Sequence, residues 1–410
     1  MRTNDVEPSG AVRIERRALL GGALAALLAP WLGGCGPTPG PVAPSGPPLP
    51  PLRTSPMSGL VAAAGLRWVL FASPRDLLGV PWIPPLVDVA VSGARFDRFA
   101  KATGIDLRAI PEAIVASCAP LGAARGAGVA SGGVSGGASG GSGAGGGEGV
   151  SGGTPGGSTG VGAGGGAAGG QGTGTETPQS AEDVTFYLVR HGSDAGLVER
   201  AFRARLTGGE KRSVDRPDLV RVSGSVGQAK QAAVMIGAEI AGFQDGGSMS
   251  RGPARIAGLF AEGKLQKASP ALAGEPLKSL AARLGKAEIT AFAPGPFDGD
   301  VARGLRGLLG AATAVGAAAR PTFRQSFQVT IAVAGDFSTS AAPASQELRS
   351  AWNELAGSAL GHLLGLDQPV TAPLVLPAPD AVMLSVELSG RLLAEGLAKA
   401  TASKVEDIFR

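Results

Sequence analysis

Residues 122–174 hold 27 glycines in 53 positions, with Ser and Ala making up most of the rest. Such a stretch has almost no side chains to pack, so it lies outside any core and the folded part must come from its flanks. As a flexible coil it spans on the order of 40 Å root-mean-square. Loop-closure entropy grows only slowly with length, so we read residues 122–182 as a disordered Gly/Ser-rich insertion in a surface loop joining two strands of one domain. The alternative is a linker between two independent domains. Glycine does not recur every third residue, which excludes collagen. With 44% of residues hydrophobic and only 17% charged, wholesale disorder is excluded too. Residues 58–121 plus 183–410 are the expected globular region, large enough for one domain or for two subdomains divided near 270–285.

Periodicity gives a coarse element order in that region. Residues 66–71 read as a strand and the Phe96/Phe99 pair as a short helix ending near Gly104, while residues 113–118 fit either type. Residues 184–189 are apolar on both faces, as in a central strand. Leu197, Val198, Ala201, Phe202 and Leu206 recur at helical spacing. Residues 219–227 and 232–243 read as an antiparallel hairpin, and Pro253 opens a helix that turns Ile256, Leu259 and Phe260 inward. Residues 287–292 are a strand and 301–319 a helix. Val329, Ile331 and Val333 alternate with polar or small neighbours. Leu348, Trp352, Leu355, Ala359, His362 and Leu366 form one helix stripe. Val382, Leu384, Val386 and Leu388 alternate again before a last helix. This order predicts an α+β fold with antiparallel or mixed sheets and packed helices, with two ferredoxin-like halves as the finer expectation. No repeat of residues accompanies the repeat of elements.

Charge excludes little by excess and more by its spread. Thirty-seven Lys and Arg against 33 Asp and Glu leave +4, too diffuse for a nucleic-acid footprint. Residues 200–221 alone are locally basic, and their interleaved acids read as a solvated helix face. Cys35 and Cys118 are the only cysteines, and His191 and His362 the only histidines. These allow no disulfide framework or zinc cluster; no metal and no cofactor is expected. Cys118, between Ala and Ser, reads as an inert buried thiol, and Trp68, Trp82 and Trp352 as core.

Arg13-Ile14-Glu15-Arg16-Arg17 precede an uncharged apolar run that ends at Leu32-Gly33-Gly34-Cys35, the three-part layout of a signal peptide over residues 1–34. The run is short for a membrane span. Leu32-Gly33-Gly34-Cys35 resembles the bacterial lipobox. That resemblance implies that Cys35 is lipidated and becomes the first residue of the mature chain. Arg16-Arg17-Ala18-Leu19-Leu20 is similar to a twin-arginine export motif, and a Sec route remains the alternative. Gly36 rather than Asp follows the cysteine, which favours the outer membrane over the inner. Acyl chains, palmitate among them, hold a protein on a bilayer through about 0.8 kcal/mol per buried CH₂. Residues 35–57 are then the lipidated cysteine and a Pro-rich tether, extended at roughly 3.1 Å per residue.

Leu188-Val189-Arg190-His191-Gly192 resembles the histidine phosphatase signature, in which Arg-His-Gly at a strand end supplies a phosphohistidine nucleophile and a phosphate-clamping arginine. Gly227-Gln228-Ala229 resembles a second piece of it. The mechanism implied by that family needs a second histidine in the pocket, and only His362 is on offer. Gly258-Leu259-Phe260-Ala261-Glu262-Gly263-Lys264-Leu265 misses a phosphate-binding loop, because Leu265 stands where a hydroxyl must bind Mg²⁺. Gly133-Val134-Ser135-Gly136-Gly137 and its neighbours match a nucleophile elbow only as glycine-rich chance. Asp298-Gly299-Asp300 reads as a turn with Asp300 as helix N-cap.

The expectation is therefore a membrane-anchored envelope lipoprotein, similar to the many lipoproteins of GC-rich bacteria, serving as a non-catalytic binding or structural module. Its expected partners are the membrane, through Cys35, and an envelope component. The alternative is a phosphoryl hydrolase using Arg190 and His191.

Overall fold

The computed structural model describes residues 49–91, 93–119 and 183–402; the signal peptide, Cys35, most of the tether, residues 120–182 and the nucleophile-elbow matches lie outside them. Pro50 onward forms one compact unit. It opens with β1 (Leu66–Ala72), then α1 (Pro74–Leu78), α2 (Ile83–Ala90), α3 (Gly93–Thr103) and β2 (Glu112–Cys118). After the glycine tract come β3 (Val184–Arg190), α4 (Ala195–Arg205), β4 (Gly208–Arg216), β5 (Leu219–Val226), β6 (Ala229–Ile236), β7 (Ile240–Asp245), α5 (Pro253–Ala261) and α6 (Leu277–Leu284). The rest is β8 (Ile289–Pro294), α7 (Gly299–Ala302), β9 (Ala312–Pro321), β10 (Ser326–Gly335), α8 (Ala341–Ala356), α9 (Ala359–Leu364), β11 (Thr371–Ala378), β12 (Ala381–Ser389) and α10 (Gly390–Ala402).

The fold is α+β. Its strands form one 12-stranded sheet in the order β11-β12-β10-β9-β8-β1-β2-β3-β7-β6-β5-β4, with every pairing antiparallel. Counted outward from the central β1–β8 pair, β1-β2-β3-β7-β6 and β8-β9-β10-β12-β11 have the same order, and the β4–β5 hairpin extends the first half alone. The pairings do not confirm ferredoxin-like halves. In a split βαβ unit a third strand separates the two that a helix connects, whereas β1 and β2 are antiparallel neighbours. Cys118 pairs with Val184, so the residues on either side of the glycine tract meet across adjacent strands.

Side chains alternate between the two sheet faces. On the first face, Val69, Ile114, Phe186, Leu188, Val234 and Phe292 pack under α5 and α6 in one apolar core. On the second face, Val198 and Phe202 of α4 meet Val189, Ala233 and Met235, while Leu348 and Trp352 of α8 meet Val333, Val382 and Leu384. The outermost strands are protected from pairing with other chains: β4 is exposed and charged through Lys211, Arg212 and Asp215, and β11 carries Pro373 and Pro377. No helix among the described residues is long and apolar enough to cross a membrane.

Several expectations change. Residues 301–319 are not a helix: α7 is four residues long, and the 304–311 segment breaks at Leu305, Arg306 and Gly307, all at positive φ. The alanines after it form β9 in the sheet. Alanine is the best helix former, but packing overrides that preference here. A Cβ on Gly316 would come within 2.8 Å of Leu284 and 3.2 Å of Phe292, so β9 needs small residues where α6 lies on it. The basic stretch is a helix face only as far as Arg205; from Gly208 it is the β4–β5 hairpin. The hairpin assigned to 219–227 and 232–243 is three strands, β5 to β7. Trp68 is 42% exposed. The long stripe ending at Leu366 divides at Gly357 into α8 and α9, leaving Leu355 exposed. Asp298, not Asp300, takes the N-cap position of α7. Gly258 lies inside α5, where no phosphate loop exists. The last tether residues are docked: Arg53 N–H donates to the Ala261 carbonyl.

Candidate functional site

Arg190 ends β3 with its guanidinium already engaged. It donates to Glu239 at 2.8 Å and to the Thr54 carbonyl at 3.0 Å, and lies 3.6 Å from Glu112. Two carboxylates neutralise the charge a phosphate would need. His191 is 4% exposed. Its Nδ1 lies 3.1 Å from the Ser193 carbonyl, which places the proton there. Nε2, the nitrogen left with a lone pair, is enclosed without a partner. Burial holds the imidazole below its ordinary pKa, against the opposing pull of the Ser193 carbonyl and the Glu239 charge. A nucleophile must reach its substrate, and this one is sealed in.

His362 does not join it. It is exposed on α9 and paired with Asp367 at 2.9 Å, not turned into an apolar stripe. α9 packs on α8 and α10, which lie over β12 and β10. β10 is five strands from β3, or about 24 Å at the usual strand spacing. The two histidines therefore do not share a site. Among the described residues no group of three or more His, Cys, Asp or Glu is arranged to hold a metal ion.

A different site lies on the second sheet face, between the two helical layers. Strand register sets Ile331, Ala317, Ala291, Leu70, Val115, Tyr187 and Phe243 side by side across seven strands. All seven are partly buried except Tyr187, which is 44% exposed. The next row toward the glycine tract is Trp68, Ser117, Thr185, Asp245 and Gln231. On β2, β3 and β7 the floor thus changes from apolar or aromatic to polar over a single step of two residues.

Under α3 and α4 this floor closes into a cavity of about 380 Å³, within the size range of small-molecule sites. Val115, Tyr187, Val189 and Phe243 form its base, Phe99, Leu107 and Phe202 its roof, and Arg205, Gln231 and Asp245 its polar edge. The roof is held by local chemistry. Asp194 accepts from Leu197 N–H at 2.7 Å as the N-cap of α4, and Phe202 packs on Phe243 with ring centroids 5.9 Å apart. Gly104 closes α3 at φ +73°, a conformation that favours glycine, where its backbone runs against Leu197 and Val198. Thr103 at the end of α3 is buried but satisfied, donating to the Phe99 carbonyl at 2.8 Å.

The cavity is chemically asymmetric. Arg205 forms no ion pair among the described residues, and Asp245 has only the Gln231 amide, 3.5 Å away. One uncommitted cation and one nearly uncommitted carboxylate thus border an apolar space. Sequence reasoning missed this site. Its available signal was Tyr187, the single tyrosine of the chain, a polar-tipped ring in a mostly apolar strand. No family model, curated protein or solved structure matches the chain.

Proposed function

We propose that this chain is an envelope lipoprotein, anchored through Cys35, whose α+β domain is a non-catalytic binding module with the cavity under α3 and α4 as its ligand site. The observation that carries the binding reading is the apolar cavity of about 380 Å³ lined by the exposed Tyr187. Tyr187, 44% exposed, is an aromatic ring on the sheet face that the cavity leaves uncovered. The anchor rests on the lipobox at Leu32-Gly33-Gly34-Cys35, and outer-membrane placement on Gly36. An envelope component supplies the ligand.

Two measurements test the two parts. Cys35→Ala should move the chain from the membrane to the soluble fraction and remove its acyl mass; a variant still membrane-bound would overturn the anchor. The uncharged dye N-phenyl-1-naphthylamine should brighten saturably at about one site per chain, and Val115→Trp, which fills the cavity, should abolish this. Unchanged dye binding by that variant would overturn the ligand site.

A further inference from the structure

The site proposed above has a floor that selects a class of ligand. We infer that the cavity takes a single-chain amphiphile with a zwitterionic head, the chain lying over Val115, Tyr187 and Phe243 and the head set between Arg205 and Asp245. The inference rests on the cavity being a ligand site, and adds what that ligand is.

Three observations carry it. The register places an apolar row beside a polar row, so a bound molecule meets hydrocarbon at one end and hydrogen-bonding groups at the other. Burying a chain on the apolar row gains about 0.8 kcal/mol per methylene, while the polar row gives the head Gln231 beside Asp245. The edge carries both signs of charge. A purely anionic head would meet Arg205 favourably but also face Asp245, and a purely cationic head the reverse; a dipolar head satisfies both. Neither charge is already spent on the other, since no ion pair within 4.0 Å links Arg205 and Asp245. A headgroup that pairs an anion with an ammonium fits that division, with Arg205 on the anion and Asp245 on the ammonium.

The test compares three twelve-carbon amphiphiles below their micelle concentrations: dodecylphosphocholine, dodecyl sulfate and dodecyltrimethylammonium. Calorimetric titration uses the full chain carrying Cys35→Ala, which has no acyl chains of its own to compete. The zwitterion should bind at least tenfold more tightly than either singly charged probe. Arg205→Gln should remove its advantage over the cationic probe, and Asp245→Asn its advantage over the anionic one. Equal affinity for all three heads in the parent chain would overturn the headgroup assignment while leaving the cavity as an apolar site. Failure of all three to bind, together with failure of the neutral dye, would overturn the ligand site itself.

Discussion

Phe202 is the roof residue whose removal reports most on the cavity. It is 3% exposed on α4 and packs against Phe243 of the floor, ring centroids 5.9 Å apart and tilted by 42°. Losing a fully buried Phe side chain forfeits about 1.5–3 kcal/mol of transfer energy, and Phe→Ala in sealed cores costs about 3–5 kcal/mol once the hole is included. Here the hole would merge with a cavity already open toward solvent, so water fills it and the void contribution shrinks. Phe202→Ala should therefore cost about 3 kcal/mol, at the low end of that range. Urea unfolding is the assay, read as a shift in midpoint at constant slope. A double-mutant cycle with Phe243→Leu should recover a coupling of about 0.5–1.5 kcal/mol from the ring pair. A loss below about 1 kcal/mol would mean that α4 is not seated on the sheet, and one above about 5 kcal/mol that the space beneath it is closed, by the same scale. Either result refutes an open, roofed cavity.

Other outcomes follow from specific contacts. Gln244, 2% exposed on β7, accepts from Ala254 N–H at the start of α5 and donates to the Gly246 carbonyl. A Cβ on Gly252 would collide with its amide, so Gly252→Ala should cost about 2–4 kcal/mol in chemical denaturation through lost buried hydrogen bonds. His191 has a folded-state pKa depressed by burial, so the unfolded chain binds its proton first as pH falls. Stability should be fully present above the ordinary histidine pKa and should decline as pH drops from there toward the folded value. His191→Gln should flatten that decline between pH 7.5 and 5.5; an unaltered slope would locate the dependence elsewhere. The Cys118 thiol is raised from 9.0 to about 11, by burial first and Asp183 second. At pH 8 its thiolate fraction is then about one in a thousand, and alkylation mapped by mass spectrometry should run about a hundredfold slower than at an ordinary thiol.

Local pattern revealed the strands whose faces differ and failed where packing decided. β10 and β12 alternate apolar with polar or small residues, so Val329 to Val333 and Val382 to Leu388 were legible directly. β9 was not: Ala314, Gly316 and Ala318 carry no strand signal of their own and are small because α6 presses on them. β4 was missed because an exposed, charged edge strand has the composition of a solvated helix. The Arg-His-Gly motif was visible, yet its arginine serves Glu112 and Glu239 and its histidine is buried. The cavity could not be read from the chain, because Phe99, Tyr187, Arg205 and Phe243 come from four elements brought together by strand order. Only Tyr187, 44% exposed in its lining, marked it locally.

Photolabelling the full chain with an uncharged long-chain alkyl diazirine, followed by mass-spectrometric mapping, tests the central claim most directly. The account predicts saturable labelling confined to peptides carrying Phe99, Val115, Tyr187 and Phe243, lost on competition with N-phenyl-1-naphthylamine. Label scattered over the surface, or concentrated under α5 and α6 on the opposite sheet face, would contradict it.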